Sequence, residues 1–247
     1  LTSNQFYLPR IEPGVSRLTL EGLEHRHLAK AARVKEGEEI WLFDDEGSRV
    51  LARVESVKKD RTVVQILERA DAEASRVRLV LVQGLLQAKK MEFILQKASE
   101  IGISDFVPLE TSRSLKASGE REGRKAERWA RIAREATKQS KGWAAPAVHP
   151  AERLKDILAR PGEGLRLFLS ENGGKPLKGL LLGAESGGGP PAPAVTIFVG
   201  PEGGWTEAEE RAFREAGCEA VSLGRRILKA ETAAIAGVAM VAHFWND

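Results

Sequence analysis

The segment VTIFVGPEGGWTEAEE, residues 195–210, decides the fold class, because it holds a strand, a glycine-rich loop and a helix start in close succession. Val195 to Val199 is a short apolar run of the kind buried on both faces of a parallel sheet. Gly200-Pro201-Glu202-Gly203-Gly204 ends that run, and Thr206 stands where a hydroxyl caps the first turn of a following helix. Glycine lets backbone N–H and C=O groups come close to a ligand. In open α/β sheets ligands lie at the carboxyl ends of strands. The residues alone leave open a second reading, an ordinary strand-to-helix turn.

A segment of the same kind follows at residues 221–233, VSLGRRILKAETA. Two glycine-containing loops after successive strands can converge on one pocket, with Leu223, Ile227 and Leu228 as its lining. That lining suits a purine ring and a thioether better than a phosphate. Neither the dinucleotide G-x-G-x-x-G pattern nor a G-x-x-x-x-G-K-[ST] loop supports a phosphate ligand. On charge alone, Arg225 and Arg226 read as a solvated turn.

Upstream, strand and helix patterns alternate from Arg78 onward: VRLVLVQGL, then MEFILQKASEIG ended by Gly102, then SDFVPLE. This is the grammar of an α/β domain. A polar helix is expected over residues 123–140, with Trp129, Ile132, Ala133 and Ala136 as its apolar stripe and Arg124, Arg128, Arg131 and Lys138 opposite. ESGGGPPAP at 185–193 reads as a loop, and ETAAIAGVAMVAHFW at 231–245 as a helix apolar on nearly all sides, which must be covered all round. Cys218 reads as a small core residue.

The first 70 residues read differently. IWLFDD, SRVLARVESV and TVVQILERA alternate like half-buried strands after a short helix, EHRHLAKAAR, in which His25 and His27 are expected at the surface. The expected division is a β-rich domain over 1–72 and an α/β domain over 73–247.

Composition narrows the function classes. The chain has 247 residues, 42% hydrophobic and 30% charged, as a soluble globular protein does. No apolar run reaches the roughly 20 residues of a membrane helix, and the sequence carries no secretory signal pattern, so a cytoplasmic location and no membrane partner are expected. One cysteine and no Cys/His cluster argue against a disulfide and against a metal. Net charge is +3 overall. It is concentrated between Arg113 and Lys141, where ten Lys or Arg face four Glu. That stretch reads either as a solvated helix face or as a surface tracking phosphates.

FVGPEGGWTEAEE followed by VSLGRRILKAETAAIAGVA closely resembles the C-terminal signature of bacterial 16S ribosomal RNA uridine-N3-methyltransferases, of the SPOUT trefoil-knot class. The resemblance extends through QKASEIGISDFVPLETSRS, REATKQS and EHRHLAKAARVKEGEEIWLFD, nearly the whole chain in order. It implies a knotted C-terminal α/β domain, where the residues alone suggest an ordinary open sheet, preceded by a small PUA-like β-barrel. It also implies a homodimer, 16S rRNA of the small ribosomal subunit as partner, and S-adenosylmethionine as cofactor.

Carried onto this chain, the resemblance puts Leu169, Gly200, Glu202 and Gly203, then Leu223, Gly224, Ile227, Leu228, Thr232 and Ala233, around the cofactor. Arg226 matches a family arginine and is assigned an electrostatic role, with Glu202 or Glu231 as acceptor of the uridine N3 proton. Arg26, Arg33, Arg113, Arg124, Arg131 and Lys138 are the candidate RNA-binding cations. The chain departs from the family pattern at Arg225 (usually Pro), Lys229 (usually Arg), Ala230 (usually Thr) and Lys141-Gly142 (commonly Gly-Arg). Two other readings stand beside this one: a knot methyltransferase acting elsewhere on RNA, such as ribose 2′-O, and a non-catalytic RNA-binding module.

Overall fold

The computed structural model describes residues 4–70, 77–116, 122–186 and 194–246; the side chains of 122–124, 184–186 and 246 lie outside the description. The chain forms two compact units, Leu1–Ala74 with Thr137–Ala145, and Ser75–Ala136 with Pro146–Asp247.

The first unit is built on strands β1 (Gln5–Tyr7), β2 (Arg17–Glu21), β3 (Glu39–Phe43), β4 (Arg49–Val57) and β5 (Arg61–Ala70), with helix α1 (Gly22–Arg26) continuing into a wider π turn at His27–Ala31. The strands form one curled sheet in the order β1-β3-β4-β5-β2. Alternation along β4 buries Val50, Ala52 and Val54 against Phe6, Leu20, Leu28, Ile40, Leu42 and Val64, as period-two patterning requires. His25, expected at the surface, is 5% exposed. Its Nδ1 lies 2.9 Å from Thr62 Oγ1 and its Nε2 3.3 Å from the Lys59 carbonyl. A buried imidazole needs such partners, and β5 and its turn supply them.

The second unit holds β6 (Arg78–Gly84), α2 (Ala88–Ile101), β7 (Asp105–Glu110), α3 (Glu122–Ser140), β8 (Ala147–Val148), β9 (Glu152–Arg153), α4 (Leu154–Leu158), β10 (Leu165–Leu169), β11 (Lys175–Pro176), α5 (Leu177–Ser186), β12 (Ala194–Val199), α6 (Glu207–Glu215), β13 (Glu219–Ser222) and α7 (Ala230–Asn246). The end of α3, from Thr137, belongs to the first unit. The sheet order is β11-β13-β10-β12-β6-β7-β8, with parallel pairings.

Both sheet faces are covered, which is why the strands read as apolar runs. Val195, Ile197 and Val199 of β12 join the core under α2 and α7 with Leu79, Leu81, Ile94, Leu95, Val238 and Val241. Phe198 points to the opposite core, where Phe213 of α6 stacks on Phe168 at 4.7 Å between centroids. The apolar stripe expected on α3 is in place, with Trp129, Ala133 and Ala136 buried. Cys218 is buried as well.

The strand order carries the fold class. β13 lies between β11 and β10, yet helix α7 immediately after it packs on β6 and β12, beyond β10. Residues 223–229 therefore cross the carboxyl ends of the neighbouring strands instead of running straight into a covering helix. The fold is that of a SPOUT trefoil-knot domain preceded by a PUA-like domain.

Candidate active site

Strands β12, β10 and β13 are neighbours and parallel, so the loops at their carboxyl ends open on the same edge of the sheet. Those loops enclose a cleft of about 690 Å³. Leu169 and Ser170 line it from the first loop, Gly200 to Trp205 from the second, and Leu223 to Ala230 from the third.

Side chains tie the loops together. Trp205 Nε1 donates to the Leu169 carbonyl at 2.8 Å, and the Ser170 amide donates to the Val221 carbonyl at 3.0 Å. Glu210, on α6, accepts from Ser170 Oγ at 3.0 Å, from Asn172 Nδ2 at 3.1 Å and from Arg214 at 2.9 Å. Burial pushes the Glu210 carboxyl up, but these donors outweigh it and hold the group below the usual carboxylate range. Arg113 Nη1 donates to the Gly203 carbonyl at 2.7 Å and the Trp205 carbonyl at 3.2 Å. Two glycines are required by geometry. A Cβ on Gly84 would lie 2.7 Å from Pro201 N, and Gly224 has φ +127°, a conformation that side chains rarely adopt.

The ends of the two helices facing the cleft carry carboxylates. Thr206 and Glu209 form a complete capping box on α6, whose first turn also holds Glu207 and Glu210. Glu231 occupies the first turn of α7. Free helix N-termini bind anions, but one of these is capped and both are already supplied with negative charge. Lys90, in the first turn of α2, binds Glu202 and lies 3.8 Å from Glu231 Oε1. The hydrogen bond that Lys90 donates to Glu202 raises the Lys90 pKa, and the charges of both carboxylates reinforce the shift against desolvation. Glu231 Oε2 is buried without a partner among the described residues. Apolar walls at Leu169, Leu223 and Leu228, with carboxylates at the helix ends, fit a purine nucleoside joined to a cationic centre better than a polyphosphate.

Residues 73–242 match the RNA methyltransferase domain family, and residues 21–67 the RNA methyltransferase PUA domain family. The chain belongs to the RNA methyltransferase domain family. It is 28% identical over 228 residues to the ribosomal RNA small subunit methyltransferase E of Bacillus subtilis, covering 91% of this chain and 89% of that one. A ribosomal RNA small subunit methyltransferase E from Neisseria gonorrhoeae, solved bound to S-adenosyl methionine, superposes with a TM-score of 0.85 at 32% identity, over 98% of both chains. A putative methyltransferase from Legionella pneumophila in complex with the same cofactor gives a TM-score of 0.85 at 26% identity, again over 98% of both.

Of the residues expected around the cofactor in this RNA methyltransferase domain, Leu169, Gly200, Glu202, Gly203, Leu223, Gly224, Ile227, Leu228 and Ala233 line the cleft, as do Arg226 and Glu231. Ile227 stands at the rim, 78% exposed. Thr232 is exposed and outside the lining. The candidate RNA-binding cations are scattered. Arg26, Arg33 and Arg131 are exposed, Arg113 lines the cleft, and the side chain of Arg124 lies outside the described residues. Lys138 does not share the exposed face of α3. Its side chain is 4% exposed and its ammonium lies 2.9 Å from Glu24 Oε1 within the first unit.

Sequence reasoning missed Lys90, Ser170 and Asn172. A signal existed for Lys90: a cation in a helix's first turn opposes the helix dipole, so its place there needs a nearby anion. Among the described residues, no His, Cys, Asp and Glu side chains are grouped as a metal site, and no helix is long and apolar enough to cross a membrane.

Proposed function

We infer that the protein transfers a methyl group from S-adenosylmethionine to N3 of a uridine in 16S rRNA of the small ribosomal subunit. The observation that carries this reading is the cleft at three adjacent strand ends, in a chain that follows the Neisseria enzyme over 98% of its length. When bound, S-adenosylmethionine supplies a methyl group on a positively charged sulfur. Leu169, Gly200, Gly203, Leu223, Gly224, Ile227, Leu228 and Ala233 are the residues to hold it, by backbone hydrogen bonds and apolar contact, with Thr232 nearby on α7.

Uridine N3 carries a weakly acidic proton that must leave as the nitrogen lone pair forms its new bond. Glu202 and Glu231 are the candidate acceptors. Lys90 orients Glu202 by its hydrogen bond and balances part of the negative charge at Glu231. Arg226, exposed on the third loop and lining the cleft, is the candidate to stabilise negative charge on the uracil oxygens, and donors preset where charge develops are effective there. Aligning base and methyl group supplies much of the remaining acceleration. The base must enter unpaired or flipped out of its helix.

In this reading the division falls at 72/73, with residues 1–72 helping to hold RNA through Arg26 and Arg33, and Arg113, Arg124 and Arg131 contributing from the second part. The protein acts in the cytoplasm as a homodimer. Phe93 of α2 and Met240 of α7, large apolar side chains left 45% and 47% exposed, support a subunit contact on that helix pair. The test is transfer of labelled methyl from S-adenosylmethionine to 16S rRNA and to small subunits lacking the modification, with mass-spectrometric mapping of the product. 3-Methyluridine is the expected nucleoside. A ribose 2′-O-methyl product, or none, overturns the reading.

A further inference from the structure

Outside the cleft, the first unit holds a cation that pairs with no carboxylate among the described residues. Arg49 opens β4, and its guanidinium carbon lies 4.4 Å from the ring centroid of Trp41 and 4.5 Å from that of Trp143. Trp41 is on β3, in the strand pairing next to Arg49, whereas Trp143 arrives from the far end of the chain segment that follows α3. That segment is fastened to the unit by Gln5, whose Nε2 donates to the Gly142 carbonyl at 2.7 Å, and by the Lys138–Glu24 pair. The guanidinium therefore sits over two indole rings held in fixed positions.

The edge of that guanidinium is unclaimed. No carboxylate among the described residues pairs with Arg49, and its Nε is buried without a partner among them. Both Nη atoms, by contrast, are neither hydrogen-bonded nor buried among the described residues, so they form the part that reaches solvent. Burial lowers the Arg49 pKa from its usual value, but a guanidinium keeps its charge in proteins. A cation stacked on aromatic faces with free in-plane donors matches the planar, two-oxygen recognition of a phosphate. Its immobilisation before binding removes an ordering cost that a free surface arginine incurs.

We propose that Arg49, seated over Trp41 and Trp143, is a phosphate-binding site for the RNA backbone. This rests on the reading of the protein as an enzyme acting on RNA. It places an RNA contact of the first unit at a residue that the strand pattern hides. It also gives the two half-buried indoles a role, since bases beside a bound phosphate stack on such rings. Lys141, exposed and two residues before Trp143, adds a second positive charge along the same segment.

The experiment uses the full chain labelled with ¹⁵N-arginine, titrated with a 16S rRNA transcript and, separately, with inorganic phosphate. The Arg49 Nε resonance, displaced by ring currents from two indoles, is expected to move saturably with RNA and only at far higher concentration with inorganic phosphate. Arg49→Gln is expected to weaken transcript binding about tenfold and to make log Kd less steep in log salt by about 0.7, the share of one single-strand phosphate. Arg49→Lys is expected to restore the slope but not the affinity. An Arg49 signal unmoved at saturating RNA overturns the proposal, and so does a folded Arg49→Gln protein with unchanged Kd and slope. These binding readouts need no methyl transfer, so a wild-type protein that binds RNA through Arg49 but methylates no uridine would refute the function and leave this site standing.

Discussion

The ammonium of Lys90, in the first turn of α2, lies 3.8 Å from Oε1 of Glu231, in the first turn of α7. Two helix starts thus meet at the cleft with opposite charges, and Glu202 from the loop after β12 closes the group. Because its partners raise the Lys90 pKa, the ammonium is present throughout the range below about pH 10, its usual value, and is lost only as pH rises through the shifted one.

Lys90→Met removes the cation that pairs with both carboxylates. Glu202 and Glu231 then lose the positive charge that both approach. Turnover is expected to fall about tenfold at pH 7, while Lys90→Arg recovers most of it. Initial rates at saturating cofactor check this, and equal rates for wild type and Lys90→Met would show that the ion group plays no part in the chemistry.

Gly84→Ala tests how the second loop is seated. The added methyl would meet backbone, Pro201 N at 2.7 Å and Gly200 C at 3.0 Å, so the loop must move away from β6. Overpacking of this kind costs about 1–3 kcal/mol. Calorimetry is expected to find S-adenosylmethionine bound more than tenfold more weakly, because Gly200 and Glu202 shift with the loop. Equal affinity would mean that the loop has slack.

The sequence pattern made the sheet and its glycine loops legible because burial on both faces leaves continuous apolar runs such as VTIFV. Convergence of the two loops was open to the residues themselves and became an expectation through the resemblance, but nothing in residues 221–233 reveals that β13 inserts between β10 and β11. Long-range contacts account for the remaining differences. His25 was expected outside because its own helix is polar, yet Thr62 on a distant strand receives it. Lys138 follows the helical face of Arg131 in sequence, but by Thr137 the helix has entered the first unit, where Glu24 awaits the ammonium.

Lys138→Met follows from that placement. Removing the ammonium leaves Glu24, whose side chain is 19% exposed, without its ion partner, although its other oxygen still accepts from the Tyr7 amide at 3.1 Å. Breaking a fully buried pair costs about 3–5 kcal/mol, and the partial exposure of Glu24 reduces this to about 2 kcal/mol. The melting temperature should drop by several degrees, while RNA affinity measured well below the transition stays within about twofold. A large loss of RNA affinity in a protein of unchanged melting temperature would return Lys138 to the RNA-binding set.

Glu209 links the stability of α6 to the cleft. Its carboxylate accepts from the Thr206 amide at 2.8 Å, from Thr206 Oγ1 at 3.0 Å and, across the sequence, from the Ser112 amide at 2.8 Å. Burial pushes the group up, but the bonds from Ser112 and Thr206 prevail and leave its pKa lowered. A lowered carboxylate pKa contributes stability above the unfolded value, about 4.3, and loses it as pH falls through the folded one. Glu209→Gln keeps the shape but presents an amide to donors, at a cost of about 1.5–3 kcal/mol for charge-assisted bonds. The difference in melting temperature between wild type and Glu209→Gln should therefore be full at pH 7 and shrink as pH drops below about 4.3. Ser112 also precedes Arg113, which holds the Gly203 carbonyl, so the same variant should weaken cofactor binding severalfold. A pH-independent difference in melting temperature would show that packing, and not the ionised carboxylate, supports this end of the helix.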